Sequence, residues 1–152
     1  MQTKTIALVA VSPQGLTVAE TIRQAYPEAR TFSIHAAEGV EQIQPFVAEH
    51  FTEFDAWIFI GALGICVRSI GPLIGHKYTD PAIINIDSTA RHVVSVLSGH
   101  VGGANELTRD LAALLGAEPV ISTQTDNTGL WALDLFSRRY GWVTKAGSEG
   151  LN

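Results

Sequence analysis

Apolar positions along the chain fall into two periods. "TIALVAV" (5–11) and "DAWIFI" (55–60) are apolar almost without a break, as in strands buried on both faces. "RTFSIH" (30–35) reads as a shorter strand, and "PVIST" (119–123) as a last one. "AIINI" (82–86) and "HVVSVL" (92–97) flank "DSTAR", a spacing that predicts an antiparallel hairpin. Helical period marks "VAETIRQAY" (18–26), opened by Thr17 and stopped by Pro27. It also marks "VEQIQPFVAEHF" (40–51), where Pro45 would shorten or kink the helix. In "ICVRSI" (65–70) the expected helical face is Leu63, Val67 and Ile70, with Arg68 on the polar side. "ANELTRDLAALLGA" (104–117) is the clearest helix, with Leu107, Leu111, Leu114 and Leu115 on one side and Gly116 as its stop. "TGLWALDLFSRRYG" (128–141) predicts a final helix, with Trp131 and Trp142 as core.

Strands alternating with helices predict an α/β fold: an open, mostly parallel twisted sheet with helices on both faces and the hairpin near 82–97. The expected domain runs from 1 to 144. The small polar tail, 145–152, reads as the start of a linker. With 152 residues, 46% apolar and 16% charged, one globular domain with a real core is expected.

Ten basic against fifteen acidic residues, with no basic run, argue against nucleic-acid binding. A single cysteine, Cys66, excludes an internal disulfide and a cysteine-cluster metal site, and fits a reducing cytoplasm. His35, His50, His76 and His92 show no metal-ligand spacing, so no protein-bound metal is expected. No apolar run is long enough to span a bilayer.

Four polar stretches each follow an expected strand and precede an expected helix: "SPQG" with Ser12, "GALG" with Gly61 and Gly64, "SGHVGGAN" and "STQTDN". In an open parallel sheet such loops gather at the carboxyl ends of the strands, where ligands bind. All four are therefore expected on one edge. "SGHVGGAN" (98–105) has the make-up of an anion or oxyanion cradle, since a glycine turn opening a helix presents unpaired N–H groups. It matches neither G-x-G-x-x-G nor a P-loop, and the chain lacks the G-x-S-x-G elbow. Tight helix–sheet packing explains its glycines equally well, and both readings stay open. His100 is suited to take a proton from water, or simply to tie its loop to a carbonyl. Lys77, Asp80 and Asp87 stand in "GPLIGHKYTDPAIINID" (71–87), with Arg68 just before it. An arginine and a lysine near a glycine cradle would suit a ligand with several carboxylates.

"GALGICVRSIGPLIGHKYTDPAIINID", "VVSVLSGHVGGANELT" and "PVISTQTD" strongly resemble the N-terminal region of the CbiG family, the cobalt-precorrin-5A hydrolases of oxygen-independent cobalamin synthesis. G-I-x-V-R, K-x-x-D-P-A, L-S-G-H-x-G-G-A-N and a threonine-rich T-D ending occur in order. Ala90 stands where the family usually has glycine, and Gln124 where it has alanine. The family's middle segment and C-terminal domain have no counterpart here.

The resemblance implies opening of a lactone on a cobalt-corrinoid and loss of acetaldehyde. It implies no cofactor, because cobalt belongs to the substrate. His100 is then the expected general base, with Asp126 and Glu106 as the other catalytic candidates. The N–H groups of Gly102, Gly103 and Ala104 are the expected oxyanion donors. Arg68, Lys77 and Asn105 would hold the acetate and propionate arms. Ser12, Gly61, Gly64, Ser98, Gly99, Thr123 and Thr125 complete the expected binding set. The implied partners are the corrinoid and the C-terminal domain, and a homodimer is kept open. Two other readings are a non-catalytic corrinoid-binding domain and an unrelated α/β domain for a phosphorylated metabolite.

Overall fold

The structure, a computed structural model, describes residues 4–34 and 42–122. Its elements all lie within one compact unit that ends at Ile121. His35, the expected helix at 128–141 with Trp131 and Trp142, the domain limit at 144 and the tail from 145 lie outside the described residues.

In chain order the elements are β1 (Ile6–Ala10), α1 (Pro13–Ala25), β2 (Arg30–Phe32), α2 (Ile43–His50), β3 (Ala56–Ile60), α3 (Leu63–Ile70), β4 (Ala82–Ile86), β5 (His92–Leu97), α4 (Ala104–Leu115) and β6 (Glu118–Val120). They form one six-stranded sheet in the order β2-β1-β3-β4-β5-β6. β1 to β4 are mutually parallel. β5 runs antiparallel to β4, and β6 runs parallel to β5. The expected fold class and hairpin are both present.

Although β1, β3 and β4 are buried at every position, successive side chains still point to opposite faces. Leu8, Ile58, Ile60, Ile84 and Ile86 pack in one core with α1 and α4. Ala7, Val9, Trp57, Phe59 and Ile83 pack in the other with α2 and α3. Full burial of one such Leu or Ile contributes about 1.5–3 kcal/mol, which explains why no polar residue interrupts β1 or β3. The Trp57 indole N–H donates to the Phe51 carbonyl at 2.9 Å, so this large ring is buried without an unpaired donor.

Local chemistry accounts for several differences from the expected elements. α1 begins at Pro13 rather than Thr17, because "SPQG" is a capped first helical turn. The Ser12 hydroxyl accepts the Gly15 N–H at 3.0 Å, and Pro13 sits where a missing N–H costs nothing. Pro45 falls in the first turn of α2 and is accommodated there for the same reason. The buried side of α3 is Cys66, Ser69 and Ile70, whereas Leu63 and Val67 are 44% and 49% exposed. The buried side of α4 is built of small residues, Ala104, Asn105, Thr108 and Ala112, around Leu111. Leu107 and Leu115 flank that core, and Leu114 faces outward. Gly116 closes α4 in the left-handed conformation, as expected.

Candidate active site

The hairpin decides where the glycine turn lies. The chain leaves β1 and β3 at the carboxyl edge of the sheet, carrying Ser12, Gly61 and Gly64 with it. It then reverses through residues 87–91, and β5 delivers Ser98 to the opposite edge, beside the starts of β1, β3 and β4. β6 follows β5 in direction, so residues 121–122 leave at that same amino edge. The four polar stretches therefore do not share one edge. The carboxyl and amino edges stand roughly 16 Å apart, the rise of a five-residue strand. Thr123, Thr125 and Asp126 lie outside the described residues.

At the amino edge the turn closes on itself before α4. Ser98 adopts a left-handed φ of 58°, and its carbonyl accepts the Ala104 N–H at 3.2 Å. The Gly99 carbonyl accepts the Asn105 N–H at 2.9 Å. Asn105 is buried, and its Oδ1 accepts the Ser95 hydroxyl at 2.6 Å, which ties the start of α4 to β5. A Cβ on Gly102 would lie 2.7 Å from the Ser98 Cβ and 2.9 Å from its carbonyl oxygen, so only glycine fits. Gly103 holds a φ of 86°, a conformation natural to glycine. Tight packing is thus one real reason for these glycines. The Gly102 and Gly103 N–H groups make no backbone bond among the described residues.

The 71–81 segment meets this turn directly. The Ser98 hydroxyl donates to the Asp80 carbonyl at 3.1 Å. The Asp80 carboxylate in turn accepts the Gly75 N–H at 2.9 and 3.1 Å, folding the segment into a loop. Lys77 is exposed on that loop, with its ammonium 5.3 Å from the centre of the Tyr78 ring. Lys4 reaches in from the start of β1, and its ammonium donates to the Gly102 carbonyl at 2.9 Å. Between these segments opens a cleft of about 350 Å³, lined by Lys4, Asp55, Tyr78, Thr79, Asp80 and Gly102. His100 and Glu106 are exposed, on the glycine turn and on the first turn of α4.

The amino edge thus gathers Lys77, Ser98, Gly99, His100, Gly102, Gly103, Ala104, Asn105 and Glu106 of the expected set. Ser12, Gly61 and Gly64 stand at the other edge, where the Ser12 hydroxyl is spent on its own helix. Arg68 is exposed on α3, at a groove of about 660 Å³ against α2 whose walls include Ile43, Ile65 and Leu73. Two expected ligand groups are engaged internally: the Ala104 N–H by the Ser98 carbonyl, and the Asn105 amide oxygen by Ser95. Lys4 and Tyr78 are lining residues that sequence reasoning did not single out. The signal for Lys4 was its place just ahead of the first strand, which puts it at the amino edge of any parallel sheet.

Cys66 and Asp87 are both displaced from their ordinary ionisation by their surroundings. Burial pushes the Cys66 thiol up to about 12, so it is no thiolate nucleophile near neutral pH. Burial also raises the Asp87 carboxyl, but hydrogen bonds from the Thr89 hydroxyl and the His92 and Arg91 N–H groups outweigh it and hold the group below its ordinary value. Asp87 closes the hairpin turn and stands away from the glycine turn. Among the described residues, no group of three His, Cys, Asp or Glu side chains could hold a metal ion. No helix among them is long and apolar enough to cross a membrane.

Residues 45–126, more than half of the chain, match the cobalamin synthesis G N-terminal family. The chain is 44% identical over 138 residues to a cobalt-precorrin-5A hydrolase of Salmonella typhimurium, covering 86% of this chain and 39% of that protein. It is 40% identical over 148 residues to a cobalt-precorrin-5A hydrolase of Priestia megaterium, covering 90% and 40%. The chain therefore spans about two-fifths of the length of these curated relatives. A crystal structure of a cobalamin biosynthesis protein G homolog from Sulfolobus solfataricus superposes with a TM-score of 0.64 at 26% identity, over 78% of this chain and 36% of that one. Three motifs that carry the resemblance, K-x-x-D-P-A, L-S-G-H-x-G-G-A-N and the start of the T-D ending, run to the one edge of this sheet where the cleft opens, and the chain belongs to the cobalamin synthesis G N-terminal family.

Proposed function

We propose that this chain is the N-terminal part of a cobalt-precorrin-5A hydrolase and supplies the hydrolytic turn of its active site. The observation that carries the reading is the bond from Ser98 to Asp80, which joins the glycine turn to the 71–81 loop around the cleft. His100 takes a proton from water as the water oxygen bonds to the lactone carbonyl carbon, and the carbonyl electron pair moves onto its oxygen. The Gly102 and Gly103 N–H groups receive that oxyanion; Ala104 is left out, its N–H being held by Ser98. Collapse expels the ring oxygen, which takes a proton and becomes a hydroxyl. That hydroxyl then loses its proton to a base, its electron pair forms the aldehyde C=O, and the bond to the macrocycle breaks. The macrocycle accepts the electron pair and a proton. One water is consumed and one acetaldehyde leaves.

Lys77, exposed at the rim, is the contact for a carboxylate arm of the corrinoid. Cobalt is carried by the substrate, and the reading requires no resident cofactor. A corrinoid is a wide disc, and one sheet edge covers one side of it. The length that the relatives have beyond this chain supplies the second wall, since sites of this kind often lie between domains.

The test is anaerobic acetaldehyde release from cobalt-precorrin-5A by the chain alone and with the remaining region of such a relative added in trans. Little turnover alone and restored turnover in trans are expected. Corrinoid binding without turnover in either case reassigns the chain as a binding domain. Displacement of inorganic phosphate but no corrinoid binding overturns the reading.

A further inference from the structure

A helix on the outside of a fold ordinarily turns a polar face to water. α1 does so with Gln14, Thr17, Glu20 and Gln24, and α4 with Glu106, Arg109 and Asp110. α3 does not. It buries Cys66, Ser69 and Ile70, yet its other side carries Leu63, Ile65 and Val67, which are 44%, 38% and 49% exposed. Between residues 62 and 74 every exposed residue except Arg68 is apolar, glycine or proline. Nothing among the described residues lies within 4 Å of a Cβ placed on Gly64 or Gly71, so the face is open along its length.

The apolar surface continues past the helix. Ile74, 49% exposed, follows α3 at the amino edge, directly before the Gly75 N–H that Asp80 accepts. On the α2 side, Ile34, Ile65 and Leu73 line the groove of about 660 Å³. Arg68 lines it too, and makes no ion pair among the described residues. Large aliphatic side chains gathered on one exposed face mark an interaction surface, because covering them removes apolar area from water.

The relatives point to the occupant. This chain matches about two-fifths of their length, and the region they carry beyond it is joined to the matching part in one polypeptide. Such a region meets the face at a high effective concentration, which favours docking over capture of a separate partner. The face also has the reach that a shared cleft needs. It starts with Leu63 at the carboxyl edge and ends with Ile74 at the amino edge, where the loop holding Tyr78, Thr79 and Asp80 lines the cleft.

We infer that the outer face of α3, with the groove beside it, is the seat of that further region, which meets it with apolar side chains and a carboxylate for Arg68. The inference rests on the proposed function in naming this region as the second wall of the cleft.

Hydroxyl-radical footprinting of the 152-residue chain and of the full-length protein tests it, since the method reads solvent access side chain by side chain. Leu63, Ile65 and Ile74 should be oxidised several-fold more slowly in the full-length protein, and Leu114, outward on α4, equally in both. Val67→Glu should restore oxidation of the three residues in the full-length protein and leave the urea midpoint of the 152-residue chain unchanged. Equal oxidation of the three residues in both lengths would overturn the proposal, as would equal protection of Leu114. Protection in the 152-residue chain that grows with its concentration would give the face to a second copy instead. A lower urea midpoint for Val67→Glu in that chain would place the cover within the chain itself, and so also overturn the proposal. None of these readings uses acetaldehyde release, so a protein that docks here and releases none refutes the hydrolytic reading alone.

Discussion

The two edges of this sheet are built from the same kinds of residue and differ in what those residues are tied to. At the carboxyl edge, among the described residues, the bonds stay within one turn or helix start or join adjacent strand ends. Ser12 caps its own helix, the Val11 N–H takes the Ile60 carbonyl, the Gly61 N–H takes the Ile86 carbonyl, and Asp87 accepts N–H groups four and five residues on. At the amino edge two side chains tie the glycine turn to segments outside its own crossover, Lys4 to Gly102 from the start of β1 and Ser98 to Asp80 of the 71–81 loop. Open α/β sheets generally bind ligands at the carboxyl edge. Here one hairpin moves the glycine turn across the sheet, and the cleft follows it. The lesson is that composition marks a loop as suited to binding, whereas strand direction decides which loops it can work with.

The sharpest way to separate the edges is chemical. His100→Ala should cut acetaldehyde release by about 10²–10⁴-fold in the full-length protein, the usual loss for a general base, with corrinoid affinity retained. Unaltered turnover would leave Glu106 or Asp126 as the base.

Packing separates them next. Gly102→Val drives a branched side chain into Ser98 and should destabilise the fold by about 1–3 kcal/mol. Gly64 at the carboxyl edge has open space where its Cβ would go, and it sits in the first turn of α3. Gly64→Ala should therefore stabilise by about 0.5–1 kcal/mol. Urea denaturation of both variants checks the pair, and equal effects of the same sign would contradict the contrast.

Ser12→Ala removes the α1 cap. A loss of about 1 kcal/mol is expected with kcat unchanged. A fall in kcat without a fall in stability would return Ser12 to the site. The smallest effect concerns Asp87, whose folded carboxyl is held below the ordinary value near 3.9. Its stabilisation is present above the unfolded pKa and is lost as pH falls through the folded one. The stability gap between wild type and Asp87→Asn should thus be widest near neutral pH and shrink in acid; a gap independent of pH would show that the carboxylate charge does no work in the hairpin turn.

Much of the fold was legible because it depends on local pattern. The unbroken apolar runs of β1 and β3, the hairpin spacing around "DSTAR" and the Gly116 stop each state their structure within a few residues. What escaped depends on which partner a residue takes, near or far in sequence. "SPQG" has turn composition, and only the Ser12 bond to Gly15 turns it into a helix start. Leucine spacing in α4 pointed to Leu114, whereas the close approach to β5 favours the small side chains of Ala104, Thr108 and Ala112. The glycine turn was recognisable from its own residues, with the packing role real. Its edge was not, because that follows from the reversed direction of β5, and with it went the neighbours Lys4 and Asp80.

Hydrogen–deuterium exchange across the full-length protein, with and without cobalt-precorrin-5A, tests most directly whether the amino edge is the site. Protection should appear at residues 77–80 and 99–105, while the backbone around Ser12 and Gly61–Gly64 exchanges as before. Protection confined to Ser12 and Gly61–Gly64, with the 99–105 turn unaltered, would contradict the account and return the corrinoid to the carboxyl edge.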